Sequence, residues 1–464
     1  MTKFYELSTA ERIAQLHTEG AIGDDDLRVL SDEPALPTAV ATNMVENQIG
    51  NFPVPLGLAD HFVVDGEALR VPMAVEEPSV IAAASNAAHR IARAGGFRTS
   101  VRRDGITAQI VFMKDDSSSR SDNGDENVSV QMPSQVRQVN KNADGFAINN
   151  QQNHDSLQSD NGGLMTFVRE HEAQIRKVAH DAHPSLQTHG GGLRKIGVSA
   201  SAEGFSEIDL LVDPGHAMGA NVVNTIAEAV ARYCAERLGG LDLLMAILSN
   251  DARDQRAQSE ARIDFDNLPT RDMDGEQVAR RIVAAARFAQ ISPLRAATHN
   301  KGIMNGIGAV VLATGNDTRN INAAAYADLN EQRRTWTNWT IDKKHRQLVG
   351  NIDIPLPLGS VGGAMSTLPM AKLSLKFLHN PDASRLMGIV ASVGLASNLA
   401  AMRALVTRGI QDGHMNLQYK SLAMSAGARP DELQQIVAGL RADPAKASLK
   451  TATNLVNQLR NTLK

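Results

Sequence analysis

Small apolar residues dominate the segment from Ser79 to Ala94, and their spacing predicts a helix with close neighbours on several sides. Pro78 suits the first helical position, and Gly95-Gly96 supplies the stop. We predict that this helix is central to its domain. Glu77 would then lie at the mouth of the helix, where the helix dipole favours a carboxylate.

A different pattern begins near residue 100 and predicts a compact second unit. Its elements in chain order are a strand at Ile106–Met113, a helix at Leu164–Ala182, strands at Arg194–Ala200 and Phe205–Asp213, a helix near Gly219–Arg237 and a strand at Leu241–Ser249. This order, strand-helix-strand-strand-helix-strand, is that of a ferredoxin-like unit. We therefore expect a small domain inserted into a larger one.

Two further segments complete the picture. Residues 115–163 carry too little apolar surface to offset the entropy of ordering, so we predict a disordered insertion there, with a partner-binding segment as the alternative. In the mostly helical C-terminal third, a long apolar stretch at Arg385–Gly409 is followed by a break around His414. Shorter amphipathic helices follow this break, and a hinge near Gly409 or Gly413 would let them move as a flap.

The predicted fold class is therefore α+β. A large domain around a central helix would comprise residues 1–99 and 250–408, an inserted ferredoxin-like small domain residues 100–249, and a helical C-terminal flap residues 409–464. A chain of 464 residues is long enough for several cores of this kind.

Composition narrows the class of protein. Hydrophobic residues make up 42% and charged residues 21%, and the net charge of -4 gives no reason to expect a nucleic-acid or membrane partner. We find no apolar run of the roughly 18 residues that a membrane span requires, and no signal peptide. The one cysteine, Cys234, excludes an internal disulfide and fits a packed core thiol. The prediction is a cytoplasmic protein.

The most informative chemistry lies between residues 295 and 317. Lys301 and Asp317 stand among glycines and small polar residues, with Arg295 upstream. A buried ammonium beside a carboxylate can stabilise an oxyanion, and an arginine can hold an anionic substrate. The alternative is that these are solvated turn residues.

Other candidate positions have alternatives of the same kind. Glu77 could be only an acidic helix start, and the triple glycine at 190–192 could be only a turn. His216-Ala-Met-Gly-Ala-Asn221 follows a strand and opens a helix, where backbone N–H groups can receive an anionic ligand. His414, on a glycine-flanked loop, could act as an acid near neutral pH. The other histidines show no metal-ligand spacing, so no metal is expected.

Several long motifs together resemble one family, the class II hydroxymethylglutaryl-CoA (HMG-CoA) reductases, the soluble bacterial type. The motifs are Glu46–Gly57, Val71–Ser79, Thr298–Gly306, Ala313–Asp317, Val361–Ala364 and Gly413–Met415. They span nearly the whole chain outside residues 115–163. The resemblance implies reduction of HMG-CoA to mevalonate and free CoA with two equivalents of NADPH or NADH. It also implies a homodimer or higher even oligomer with shared active sites.

The resemblance implies a role for each matching residue. Lys301 would stabilise the oxyanion, Asp317 would lie beside Lys301 and keep it charged, and Glu77, its pKa raised near Asp317, would supply or share a proton. His414 would protonate the departing CoA thiolate. The hydroxymethylglutaryl end would be held by Ser79, Arg295 and Asn305. The cofactor-binding positions would be His183, His216, Met218, Gly219 and Asn221.

Two of these positions depart from the family pattern. His216 stands where the family usually has an aspartate, and His183 stands where some NADH-using relatives have an aspartate near the adenine ribose. Because a histidine does not repel a 2′-phosphate as a carboxylate would, we expect NADPH to be slightly favoured over NADH. His216 also leaves an alternative open, a catalytically impaired homologue that binds CoA esters.

Overall fold

The computed structural model describes residues 4–31, 36–114, 158–188, 190–200, 204–407, 409 and 419–462. The chain forms two compact units. The large unit comprises Met1–Arg102, His216–Met218 and Gln255–Lys464, and the small unit comprises Arg103–Gly215 and Gly219–Asp254. The small unit is thus an insertion in the large one, as the order of elements predicted.

The strands and helices follow in chain order. The strands are β1 (Leu56–Val64), β2 (Glu67–Ala74), β3 (Phe97–Arg103), β4 (Ile106–Lys114), β5 (Gly192–Ala200), β6 (Phe205–Asp213), β7 (Leu241–Leu248), β8 (Gln255–Asp264), β9 (Thr337–Asp342) and β10 (Gln347–Pro355). The helices are α1 (Thr9–Thr18), α2 (Asp24–Ser31), α3 (Thr38–Met44), α4 (Val80–Ala92), α5 (Gln158–Ala182), α6 (Pro184–Thr188), α7 (Ala220–Ala235), α8 (Gly275–Ile291), α9 (Pro293–Ala313), α10 (Thr318–Ala327), α11 (Pro369–Phe377), α12 (Ala383–Val406), α13 (Leu433–Ala442) and α14 (Leu449–Thr462).

A six-stranded sheet in the order β2-β1-β3-β8-β10-β9 forms one layer of the large unit. Strand β1 pairs antiparallel with β2 and parallel with β3, while β10 pairs antiparallel with both β8 and β9. Helices α4 and α12 pack against this sheet, and α9 packs against β2 and α12. The helix that carries the candidate lysine is therefore held directly by the core of the large unit.

The central helix of the large unit is α12. Every residue from Leu386 to Leu399 is buried, because apolar and small side chains occupy all faces of the helix. The sequence pattern predicted that the helix at residues 79–94 is the central one. In the structure that segment is α4, which packs against β1 and α12 and buries one face. Its alanines allow this close packing without placing it at the centre.

The small unit has the predicted ferredoxin-like strand order. Its sheet runs β5-β6-β4-β7, all pairs are antiparallel, and α5 and α7 supply one side of its hydrophobic core. The α+β fold class is confirmed. The largest difference in a boundary is at α5, which begins at Gln158 rather than Leu164, so the last six residues assigned to the insertion are helical. Residues 115–157 lie outside the described part of the chain.

The C-terminal residues form their own small hydrophobic cluster. Residues 419–425 are helical, and Tyr419, Ile436, Leu440 and Val456 are buried together with side chains of α13 and α14. That this segment moves as a flap stays a prediction. The hinge positions Gly413 and His414 lie outside the described residues.

Among the described residues, α12 alone is long and apolar enough to cross a membrane. The search for continuous apolar runs in the sequence did not indicate this helix. The most apolar window of the helix is 67% buried inside the protein. A core helix has the same composition, and the packing of α12 accounts for it.

Candidate active site

Helix α9 carries three of the candidate residues, Arg295, Lys301 and Asn305. The hydroxyl of Ser292 caps the helix by accepting from the N–H of Arg295 at 3.2 Å, and Pro293 occupies the first position. Lys301 and Asn305 are four residues apart, so they share one face of the helix. Arg295 lies about two turns closer to the N-terminus.

Glu77 joins the two residues on that face. The Nζ of Lys301 donates to Oε2 of Glu77 at 2.8 Å, and Nδ2 of Asn305 donates to the same oxygen at 3.4 Å. The side chain of Lys301 is 62% exposed and that of Glu77 37%, so the pair is open to a ligand. An ammonium that touches a carboxyl group can stabilise an oxyanion and pass on a proton.

The approach to α4 is set by an unusual backbone conformation. The helix begins at Val80, one residue later than predicted, and Ser79 precedes it with a φ of +76°. Pro78 lies in the turn before the helix rather than at its first position. A serine in the left-handed region stores strain that the surrounding structure must maintain, and such residues concentrate at functional sites. The turn places Glu77 within reach of Lys301.

Asp317 has a different partner from the one predicted. Its carboxylate caps α10 by accepting from the N–H groups of Arg319 and Asn320, and the Arg319 guanidinium bonds both carboxylate oxygens, at 3.0 and 3.1 Å. These hydrogen bonds, led by the one from the Arg319 side chain, lower the pKa of Asp317. Among the described residues, Lys301 contacts the carboxylate of Glu77 and not that of Asp317. The predicted contact between Lys301 and Asp317 is therefore not formed.

Arg295 has no carboxylate partner among the described residues. Its guanidinium contacts the sulfur of Met402 at 3.6 Å, and burial lowers its pKa from the ordinary arginine value. A half-buried guanidinium without a counter-ion favours an anionic ligand, because a carboxylate would supply the missing charge and the missing acceptors.

A buried histidine on the same helix escaped the sequence analysis. His299 is 2% exposed, and its Nε2 lies 2.7 Å from the hydroxyl of Thr337 and 3.1 Å from Nδ2 of Asn398. Because Asn398 accepts from the indole N–H of Trp339 through its Oδ1, its amide nitrogen must donate to His299. A ring nitrogen that accepts a hydrogen bond carries no proton, so the ring is neutral; Nδ1 is buried without a hydrogen-bond partner among the described residues. Burial, and next the charge of Arg295, lowers the pKa of His299 to about 4.

Asn316 is the second residue that sequence reasoning passed over. It lies inside the motif Ala313–Asp317, but only Asp317 received a role. The side chain is buried, and it hydrogen-bonds both backbone groups of Gly359. The sequence feature that could have indicated a role for Asn316 is its place between Gly315 and the candidate carboxylate Asp317.

The candidate cofactor residues divide between the two units. His216 and Met218 belong to the large unit, where the carbonyl oxygen of His216 accepts from the N–H of Ser360 at 2.9 Å. Gly219 and Asn221 belong to the small unit, in which Gly219 precedes α7 with a φ of +105°. Gly219 has no side chain that could cap α7, and the backbone N–H groups at the start of a helix can receive a polar ligand.

His183 lies in the small unit at the junction of α5 and α6. Its Nδ1 is 3.3 Å from the hydroxyl of Ser185, and the ring is half-buried. His414 lies outside the described residues. Within those residues, we find no cluster of histidine, cysteine or acidic side chains that could hold a metal.

Comparison with known proteins identifies the family of the chain. A family model described as hydroxymethylglutaryl-coenzyme A reductase matches residues 8–158 and 142–419. A 3-hydroxy-3-methylglutaryl-coenzyme A reductase from Archaeoglobus fulgidus is 37% identical, over 99% of this chain and 94% of the relative. A probable reductase of the same name from Borreliella burgdorferi is 30% identical, over 82% of this chain and 77% of the relative.

Solved structures give the same result. The reductase from Streptococcus pneumoniae matches with a TM-score of 0.74 and 34% identity, over 98% of this chain and 99% of the other. A structure of the class II enzyme from that organism bound to NADPH, in open conformations, matches with a TM-score of 0.73 and 33% identity, over 87% of this chain and 99% of the other. This chain belongs to the hydroxymethylglutaryl-coenzyme A reductase family, and its fold matches that of a class II member.

Proposed function

We propose that this protein reduces HMG-CoA to mevalonate and free CoA with two equivalents of NADPH or NADH, in a reversible reaction. The observation that carries the proposal is the cluster in which Lys301 and Asn305 both donate to Glu77. It joins a cation and a polar anchor on α9 to a proton carrier in the turn before α4. Two protons are taken up in the overall reaction, so the site needs such a carrier.

In this proposal Lys301 stabilises the oxyanion that forms when the thioester carbonyl accepts a hydride. The reduced nicotinamide, when bound, supplies that hydride and a second one. Glu77, which accepts a hydrogen bond from Lys301, shares the proton of that bond and delivers it to the reacting oxygen. Asp317, kept ionised by Arg319 and by the start of α10, contributes the negative charge of the site. His414 protonates the departing thiolate.

The substrate is anchored by charge and by hydrogen bonds. Arg295, which has no acidic partner among the described residues, would bind the free carboxylate of the hydroxymethylglutaryl group. Asn305 and Ser79 would bind its hydroxyl and carbonyl oxygens. Both adjoin Glu77, Asn305 through a hydrogen bond and Ser79 through the turn before α4.

We propose NADPH as the preferred cofactor. The start of α7 suits the cofactor because backbone N–H groups at a helix start can bind a phosphate or amide; Gly219 and Asn221 lie at this start, and Met218 precedes them in the chain. His183 places no negative charge at its position. The related class II structure from Streptococcus pneumoniae is a complex with NADPH, which supports the same choice.

We also propose a homodimer or higher even oligomer, located in the cytoplasm. Among the described residues of the large unit, the large apolar side chains that are exposed include Ile49, Phe52, Phe288, Ile291 and Leu294, and their burial would favour self-association. Two of them belong to the motif Glu46–Gly57. Light scattering of the purified protein would measure the oligomer, and a monomer at micromolar concentration would contradict this part of the proposal.

A single assay tests the activity. The absorbance of the reduced nicotinamide is followed with HMG-CoA and either NADPH or NADH, and in reverse with mevalonate, CoA and the oxidised cofactors. We expect oxidation in the forward direction that requires HMG-CoA. If no pair shows turnover while HMG-CoA still binds in calorimetry, the protein is a non-turnover CoA-ester binder and the proposal fails.

A further inference from the structure

The loop between α9 and α10 contains a buried amide next to the candidate carboxylate. The side chain of Asn316 is 7% exposed. Its Nδ2 donates to the carbonyl oxygen of Gly359 at 3.1 Å, and its Oδ1 accepts from the N–H of Gly359 at 2.9 Å. Nδ2 also reaches the hydroxyl of Thr314 at 3.2 Å. Asn316 thus holds both backbone groups of one residue in a distant loop.

The loop that Asn316 holds is itself fitted to the segment His216–Met218. The N–H of Ser360 donates to the carbonyl oxygen of His216 at 2.9 Å, and Ala217 pairs with Val361 in a parallel bridge. Gly359 has no space for a side chain, because a Cβ there would overlap the backbone nitrogen of Met218. Backbone therefore packs directly on backbone at this point.

These contacts form one short chain of links. Asp317 is bonded covalently to Asn316, Asn316 holds Gly359, and residues 359–361 hold His216–Met218. All of these residues belong to the large unit. Since most of the links are closely packed backbone groups, we expect a movement of Asn316 to shift Gly359 and with it the segment that ends at Met218.

We propose that Asn316 is a positioning residue that fixes the cofactor-binding segment His216–Met218 with respect to the catalytic loop at Asp317. The inference rests on the proposed reductase function, and it assigns to the motif Ala313–Asp317 a second task besides supplying a carboxylate. Asn316 touches neither the substrate nor the cofactor in this proposal. Its effect is on where the cofactor is held.

The test compares Asn316→Ala and Asn316→Asp with the wild type. The aspartate keeps the acceptor for the N–H of Gly359 but turns a negative charge towards its carbonyl oxygen. We expect the KM and the Kd for NADPH to rise about tenfold, as for the loss of a buried hydrogen bond, while the KM for HMG-CoA changes less than about threefold. The Kd is measured by titration of NADPH fluorescence.

Two further variants separate positioning from stability. Gln290→Ala removes a comparable amide, whose Nε2 donates to the carbonyl oxygen of Thr337 at 3.2 Å, and should lower the Tm without changing the Kd for NADPH. Gly359→Ala leaves Asn316 in place but pushes on Met218, and should raise the Kd for NADPH as Asn316→Asp does. It replaces Asn316→Ala if that variant does not fold.

The outcomes distinguish this inference from the proposed function. A folded Asn316→Asp protein with the wild-type Kd for NADPH overturns the inference, and so does an equal rise of the KM values for both substrates. If the wild type binds NADPH but oxidises neither NADPH nor NADH with HMG-CoA, the proposed function fails, and the Kd comparison still decides the role of Asn316. A wild type that binds neither NADPH nor NADH removes both.

Discussion

The ammonium group of Lys301 donates a hydrogen bond of 2.8 Å to Glu77, and this contact joins helix α9 to the turn before α4. The two residues are 224 positions apart in the chain. Each belongs to a motif that alone allowed a simpler interpretation. Their contact favours a shared chemical role over that of two separate surface charges.

Replacement of the lysine tests this role directly. We expect Lys301→Ala to lower kcat about 100- to 1,000-fold, because an oxyanion would lose its main charged donor. Lys372→Ala removes an exposed lysine of α11 and serves as the control, for which we expect wild-type turnover. Steady-state kinetics with HMG-CoA decide the matter, and near-normal kcat in a folded Lys301→Ala protein would remove Lys301 from the site.

Arg295 should act on substrate binding. We expect Arg295→Ala to raise the KM for HMG-CoA about 10- to 100-fold, since hydrogen bonds to charged groups contribute roughly 1.5–3 kcal/mol and each 1.4 kcal/mol is tenfold. The KM for NADPH should stay the same. Arg295→Lys keeps the charge but loses the fork, so it should recover only part of the affinity. Equal KM values for HMG-CoA in all three proteins would contradict the assignment.

The pair of Asp317 and Arg319 leads to a pH prediction. Arg319 lowers the pKa of Asp317, so the ionised carboxylate persists to a lower pH than it otherwise would. Arg319→Ala should raise that pKa and move the acid limb of the kcat/KM profile to higher pH, and the change should be small because the Arg319 side chain is 90% exposed and solvent screens the pair. Arg319→Lys should leave the limb nearer its original place. An identical acid limb in Arg319→Ala would show that Asp317 does not control it.

His299 should make the large unit sensitive to acid. Its pKa is about 4 in the folded protein and near 6.5 when unfolded, so the unfolded chain binds a proton first as the pH falls. Stability should therefore decrease from about pH 6.5 down to pH 4, by at most roughly 3 kcal/mol. Denaturant unfolding of the wild type and of His299→Gln at several pH values measures this. A similar decrease in both proteins would place its origin elsewhere.

The cofactor prediction has its own matched pair of variants. We expect His183→Asp to shift the ratio of kcat/KM values towards NADH, because a carboxylate would repel a 2′-phosphate. His183→Asn removes the ring without adding charge and should leave the ratio close to that of the wild type. If both variants shift the ratio equally, charge at this position does not select the cofactor.

Periodicity predicted the small unit well, because each of its elements has one face on a single core. Strand β6 begins and ends at the predicted residues, and the predicted order of elements gave the observed sheet. The central helix was harder. Helices α4 and α12 are both rich in small residues, and composition alone does not tell which one is surrounded on all sides.

At the site, the sequence identified the residues better than their partners. Lys301, Glu77 and Asn305 come together in the structure, but the carboxylate that contacts Lys301 is Glu77 and not Asp317. Arg319, two residues after Asp317, binds the carboxylate that was expected to contact Lys301. Only the geometry of the helix cap shows that the Arg319 guanidinium reaches this carboxylate. The left-handed Ser79 was equally hidden, since no propensity favours that conformation for serine.

Gly306, the last residue of the motif Thr298–Gly306, gives that motif a structural role as well as a chemical one. A Cβ on Gly306 would overlap the hydroxyl of Ser397 and lie 3.0 Å from a side-chain carbon of Val393. At this point the backbone of α9 therefore packs directly against side chains of α12. The same nine residues thus contain the candidate catalytic Lys301 and the glycine that lets α9 and α12 pack closely. Heating that loosens the packing of these two helices would also displace Lys301, so we expect activity to be lost no later than the large unit unfolds.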